Sequence, residues 1–258
     1  MTGADASSAV RRPPGLLFVL LPALLAPVAV FLAFAVAAAS PAAGRIALPM
    51  LATLAVYPVF ARCVTEGRRA AAITAALLWA ASLSASLITH TARDPAAAGA
   101  GVFMGPPYRD EMFAFIASGQ GRESDPARFV PQHLLHAGIF AVVTLASGGV
   151  LGLLMGAVLV GYMSYYVGAL ASGPQAMTAG LLGWPPYAVV RVVAFVILGA
   201  VLARPLLVRL RGRPERLLAQ PADRRLLGVA LALLLLDIVL KAVVAPAWAG
   251  ILRPCLPP

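Results

Sequence analysis

This chain has little charge. Only 12% of its 258 residues are Asp, Glu, Lys or Arg, and 61% are apolar, against about 25% and about 45–50% in ordinary soluble domains. So little polar surface cannot cover a water-soluble globule of this length, which excludes a soluble enzyme or binding domain. Apolar runs that alternate with polar residues are also missing, and this excludes a membrane β-barrel. Two cysteines, Cys63 and Cys255, are too few for a disulfide framework. The formal charge of +10 comes without an aromatic-interleaved basic surface, so no nucleic-acid partner is implied. No internal repeat, no separate soluble domain and no His-Glu-x-x-His metal signature is found.

What is present is hydrocarbon in continuous runs, with a mean hydropathy of +0.89. Runs of about 20 apolar residues match the thickness of a bilayer, and a helix satisfies its own backbone groups in lipid. The sequence therefore predicts an all-α, polytopic integral membrane protein with about seven transmembrane helices, the lipid bilayer being its first partner. The first is Gly15–Ala39, too long for a signal h-region and so expected to stay uncleaved, with Pro22 and Pro27 expected to kink it. The next two run about Ile46–Ala61 and about Ala70–Thr89. Residues 133–171 cover two membrane thicknesses at about 1.5 Å per residue. The Ser147-Gly148-Gly149 triplet splits them into spans of about 131–147 and 150–171. Spans of about Pro186–Ala203 and Leu226–Ala249 complete the set within a single transmembrane domain, 15–249, flanked by tails 1–14 and 250–258.

Arginine placement predicts the orientation. With the N-terminus in the cytoplasm, twelve arginines lie inside and six outside. The inner set comprises Arg11, Arg12, Arg62, Arg68, Arg69 and the seven of the basic loop 204–225. Basic residues held inside give an N-in, C-out chain with a polar outer loop, 90–132, between the third and fourth spans. Cys63 and Cys255 then fall on opposite sides and do not pair. Alanine- and arginine-rich usage with a single lysine points to a bacterial cytoplasmic (inner) membrane.

The chemistry-bearing residues gather around that outer loop. Residues 90–136 hold all three histidines and five of the ten carboxylates. His133 and His136 share a helical face, His90 closes the third span on the same side, and Glu111 and Glu123 lie between. This set could work as acid and base on water. His90, His133 and His136 could instead ligate a divalent transition metal such as Zn. The plainer alternative is interfacial histidines that cap helix ends.

Four further features stand out. Asp237 and the only lysine, Lys241, sit four apart in the last span, where ionisable residues are costly. They could neutralise each other as a structural pair, or relay protons. Arg191 could snorkel, pair with Asp237 or hold an anionic group. Tyr165 and Tyr166 could belong to an aromatic belt or form a pocket wall. Gly148, Gly152 and Gly156 recur every fourth residue in the fifth span, the pattern of close helix packing and a possible homo- or hetero-oligomer contact.

Two partial likenesses exist. Asp110-Glu111 with Phe129-x-x-x-His133 is similar in outline to the paired-acid and Phe-x-x-x-His elements of CAAX-type intramembrane proteases. Phe115 stands where that family has arginine, however, and a later His-x-x-x-Asn/Asp is missing. Asp237-x-x-x-Lys241 resembles the retinal-binding helix of microbial rhodopsins, without the Arg-Tyr-x-x-Trp-like element of their third helix. Neither assigns a family.

The leading expectation is a membrane-embedded hydrolase or transferase at the outer leaflet, acting on a lipid-linked or membrane-anchored substrate. His133, His136, Glu111 and Glu123 would be its catalytic groups, and Arg191, Lys241, Asp237, Tyr165 and Tyr166 its substrate-binding groups. The alternatives are a proton- or ion-coupled transporter using Asp237 and Lys241, and a non-catalytic subunit or assembly factor of a membrane complex.

Overall fold

The computed structural model describes residues 15–213 and 216–257. The expected inner tail 1–14 with Arg11 and Arg12, and Glu215 of the basic loop, lie outside the described residues. Eleven α-helices and one 3₁₀ turn, with no strand, make up the described chain. Seven of these helical stretches are long and apolar enough to cross a bilayer, so this is a multi-pass helical membrane protein.

The spanning helices are α1 (Leu16–Ala39), α2 (Pro41–Thr65), α3 (Arg69–Arg93), α6 (Pro126–Ser147), α7 (Val150–Ala171), α9 (Pro186–Leu202) and α11 (Pro221–Leu252). Proline sets most of their starts. Pro41, Pro126, Pro186 and Pro221 each occupy the first helical position, where the missing N–H is not needed. Side-chain caps reinforce two of them: Ser40 accepts from Ala43 N at 3.4 Å and Asp125 from Ala127 N at 3.0 Å. These caps begin α2 and α6 five residues earlier than hydropathy alone places them. Helices α1, α2, α6 and α11 continue through internal prolines.

The split of 133–171 into a hairpin is borne out. Gly148 and Gly149 take φ of +60° and +94°, a left-handed region open to glycine at no steric cost. The N–H of Gly149 returns to Thr144 O at 3.0 Å to close α6. Cys63 and Cys255 are both free and buried.

Helix α7 is the axis of the bundle, packed against α2, α3, α5 and α6. Its glycines are used within the chain: Gly152 faces Thr144 of α6, and Gly168 faces Thr91 and the Ile88 carbonyl of α3. A Cβ at either position would overlap these neighbours, so the glycines allow close approach between helices.

The expected outer loop 90–132 is mostly helical. It holds the end of α3, then α4 (Pro95–Gly101), α5 (Gly105–Ser118), a short turn, and the first residues of α6. Met112, Phe115 and Ile116 of α5 are buried in one apolar cluster with Val167 and Leu170 of α7 and Ala249 and Leu252 of α11. This end of the bundle is therefore roofed, and the roof carries Tyr108 and Glu123 toward the interior. At the opposite end, α10 (Arg204–Arg209) and the start of α11 meet the α2–α3 turn.

Candidate functional site

Four helices and the roof bring ionisable side chains together about a third of the way into the bundle. Arg191 of α9 makes a two-pronged pair with Asp237 of α11, Nε to Oδ2 at 2.8 Å and Nη2 to Oδ1 at 3.0 Å. Lys241, one turn further along α11, pairs instead with Glu123 of the roof, Nζ to Oε2 at 2.9 Å. The Asp237 and Lys241 side chains are 1% and 2% exposed. Charges this far from water persist only when compensated, and here two cations face two carboxylates. The Lys241 ammonium also sits 4.8 Å from the centre of the Phe129 ring and 5.8 Å from that of Tyr187, within cation–π range.

The expected pairing of Asp237 with Lys241 thus gives way to two separate pairs. A planar guanidinium on α9 satisfies both carboxylate oxygens at once, which one ammonium cannot do. Arg191 is a partner of Asp237 and does not snorkel away.

His133 of α6 adjoins the first pair. Its Nδ1–H donates to the Phe129 carbonyl at 2.8 Å, which leaves Nε2 with the lone pair. Nε2 is buried without a hydrogen-bond partner and lies 3.6 Å from Asp237 Oδ2. The indole Nε1–H of Trp184 is likewise buried and unpartnered. Buried polar atoms are ordinarily satisfied. Here one acceptor and one donor border the same hollow of about 80 Å³, together with Tyr108, Glu123, His136, Tyr162, Arg191 and Lys241. The Tyr108 hydroxyl donates to Met163 Sδ at 2.7 Å, and its ring lies 4.5 Å from that of Tyr162. Burial, reinforced by the Glu123 carboxylate, holds the Tyr108 phenol well above its ordinary range, so it stays a neutral donor.

Not every expected residue arrives here. His90 stacks on Phe34 of α1 at 4.0 Å and borders a different hollow with Pro27 and Arg93. The expected metal set of His90, His133 and His136 is therefore not assembled. Among the described residues, no group of three or more His, Cys, Asp or Glu is placed to hold a metal ion. His133 and His136 border the site and His90 does not, because the end of α3 turns that imidazole onto Phe34 of α1.

Glu111 is half exposed, 3.8 Å from Arg122, and joins neither histidine. Glu123 is in the site as the counter-ion of Lys241, not as a partner of His133. Tyr165 turns toward the roof, donating to the Pro95 carbonyl at 2.9 Å, and Tyr166 donates to the Gly183 carbonyl at 3.0 Å. Neither lines the hollow. Tyr162 does so, one turn earlier on α7, with Tyr108 and Trp184. The sequence signal for Tyr162 was aromatic spacing alone, which does not say which face of α7 meets the hollow; Tyr108 and Trp184 arrive from other elements.

Chemically, the site offers a buried ammonium and a partly buried guanidinium, each paired with a carboxylate that an anion would have to replace or share, and an imidazole lone pair suited to accept a proton. Comparison with protein-family models, curated proteins and solved structures finds no match.

Proposed function

We propose that this protein is a membrane-embedded hydrolase or transferase acting on an anionic, lipid-linked or membrane-anchored substrate. The observation that carries the reading is His133 Nε2, an unpartnered lone pair buried beside two cations at the edge of a hollow. Arg191 and Lys241 bind the phosphate or carboxylate of the substrate. Lys241 does so by exchanging Glu123 for it, since that carboxylate comes from a short turn and not from a spanning helix.

His133 is the base. Nε2 takes the proton of a water or an acceptor hydroxyl as its oxygen attacks the phosphoryl or acyl centre. The bond to the leaving oxygen breaks, and the proton passes from His133 to that oxygen. General-base help of this kind is worth about 10²–10⁴-fold in rate. His136, on the same face and bordering the same hollow, positions the attacking oxygen. The excess of arginine at the α2–α3 and α10–α11 end supports an N-in orientation in a bacterial cytoplasmic membrane, which puts the site toward the outer leaflet.

The test uses purified protein in vesicles of bacterial lipid extract, incubated in H₂¹⁸O. Hydrolysis inserts ¹⁸O into one product, and transfer gives an unlabelled adduct; mass spectrometry separates the two. Either product should vanish in His133→Asn, whose amide can keep the bond to the Phe129 carbonyl, while the protein keeps its thermal unfolding midpoint. Wild-type turnover in that variant would end the reading.

A second reading, a proton- or ion-coupled transporter, is favoured by one observation. Asp237 and Lys241 lie one turn apart on α11 but find partners on two different elements, α9 and the roof. Movement of either element would uncover one charge without the other. In that case Asp237→Asn with Lys241→Gln abolishes proton-driven uptake, and His133→Ala does not.

A further inference from the structure

The polar hollow has apolar neighbours. Two further hollows adjoin it, and Val160 and Val192 line all three. The inner one, about 60 Å³, is bounded by Phe60, Trp79, Phe140 and Leu153. Glycine makes room for it: Gly149, Gly152, Gly156 and Gly199 form part of its wall, and a Cβ on Gly156 would meet no atom within 4 Å. The outer one, about 320 Å³, is a cleft between α3 and α9. Ala81, Ala85 and Val189 on its rim are exposed, so it opens sideways, where bilayer hydrocarbon lies. Apart from Thr144, Ser84 and the indole nitrogens of Trp79 and Trp184, the linings are hydrocarbon.

Apolar empty space inside a bundle forfeits dispersion contacts, and a hydrocarbon chain would restore them. The position matters as much as the lining, because the same two valines separate this apolar space from the cations and from the free His133 nitrogen. For an amphiphile with its charge at Lys241 and Arg191, these walls directly adjoin the charged site and suit its tail.

Building on the anion-site reading above, we infer that the substrate is an anionic amphiphile whose hydrocarbon chain is held inside the protein. The chain enters through the α3–α9 cleft, passes Val160 and Val192, and ends in the glycine-walled hollow.

Two measurements test this separately from the anion site. The first is calorimetric titration of the purified protein with butyl phosphate, which reports the charged site without a long tail; binding should weaken at least tenfold in Lys241→Gln. The second is quenching of tryptophan emission in phosphatidylcholine vesicles doped with either phosphatidate or phosphatidylcholine carrying brominated chains. Trp79 is 2% exposed, and comparing the two lipids cancels quenching of the more exposed Trp184 and Trp248 from the bilayer.

Brominated phosphatidate should quench saturably, at a mole fraction at least tenfold below that needed for brominated phosphatidylcholine. Gly156→Leu, which fills the inner hollow, should remove that difference while butyl phosphate still binds. If butyl phosphate binds but the two brominated lipids quench alike in the wild-type protein, the chain does not enter and the inference fails while the anion site stands. If Gly156→Leu leaves the difference intact, the chain lies elsewhere and the assigned path is wrong. If butyl phosphate does not bind, the anion site itself is wrong, and the inference fails with it.

Discussion

The chain buries two aspartates on the same helix, and they are used differently. Asp223 sits in the first turn of α11, 3% exposed, and pairs with Arg69 from the start of α3, with Arg204 of α10 at 3.7 Å. Asp237 sits mid-helix, 1% exposed, and pairs with Arg191. Arg204 also donates to the Val64 carbonyl at 3.0 Å, so the Asp223 cluster ties the α2–α3 turn to the α10–α11 end. That location suits an acid: the N-terminus of α11 favours negative charge, and the arginines lie at helix ends. Asp237 has no helix terminus nearby. Its neighbours are a histidine nitrogen without a partner and a hollow. A carboxylate that only fastened helices would need neither, which is why we place function at Asp237 and fastening at Asp223.

The most severe way to break this comparison is to remove each acid. Asp237→Ala leaves Arg191, partly buried, without its counter-ion, and the loss should lie toward the lower end of the about 3–5 kcal/mol for breaking a buried pair. Asp223→Ala should cost about 1–3 kcal/mol, the penalty of one unsatisfied polar group, because Arg204 keeps the Val64 carbonyl and Arg69 the Gln220 side-chain oxygen as acceptors. Reversible unfolding in mixed micelles reads both. Asp237→Ala combined with Arg191→Leu should recover part of the loss, since no charge is then stranded. Equal costs for the two single variants would remove the distinction.

Much of this arrangement was legible from residues alone, and the reasons for the rest are specific. Spans follow from continuous apolar runs, and the α6–α7 hairpin from Ser147-Gly148-Gly149. Helix starts were missed at Ser40-Pro41, Asp125-Pro126 and Pro221, where a cap or a first-turn proline extends the helix into polar sequence that hydropathy discounts. Charged residues within spans are few enough that His133, Arg191, Asp237 and Lys241 identify themselves. Their partners do not. Spacing of four along α11 brings Asp237 near Lys241, yet each pairs with a residue far away in sequence, and no periodicity connects Lys241 to Glu123. His90 was grouped with the site only because it closes its span on the same side, which fixes its depth, and Tyr165 only as a possible pocket wall. Depth says nothing about direction around a helix, and α3 and α7 turn those two side chains elsewhere.

The next effect is on rate. His133→Asn should lower turnover by about 10³-fold, within the usual range for loss of a general base, and change stability by about 1 kcal/mol or less, because its amide can keep the bond to the Phe129 carbonyl and Nε2 satisfies nothing in the resting protein. Arg204→Gln, the control from the other cluster, should leave turnover within about twofold of wild type. Parallel loss of turnover and stability in His133→Asn would make the histidine a packing residue.

Lys241→Gln should weaken binding of an anionic headgroup by about 10²-fold, roughly the 1.5–3 kcal/mol of a hydrogen bond to a charged group. The variant strands Glu123, but that carboxylate comes from the roof turn, with 16% of its side chain exposed, and can turn toward water. Titration of butyl phosphate against the variant and against Arg69→Gln separates the clusters, because the Asp223 cluster should not respond to the ligand.

The smallest expected effect has the opposite sign. If Glu123 occupies on Lys241 the place a ligand anion would take, then Glu123→Gln removes a competitor and leaves a buried ammonium short of negative charge. Anion binding should therefore tighten, by about tenfold if the vacated pair is worth roughly 1.4 kcal/mol to the incoming group. Stability should fall in the absence of ligand and recover as ligand is added, since binding to the folded state alone raises its stability. The corresponding change in the other cluster, Asp223→Asn, should produce no such recovery. Weaker anion binding in Glu123→Gln would mean that the carboxylate helps to build the site, and Lys241 would then be a fastening cation like Arg69.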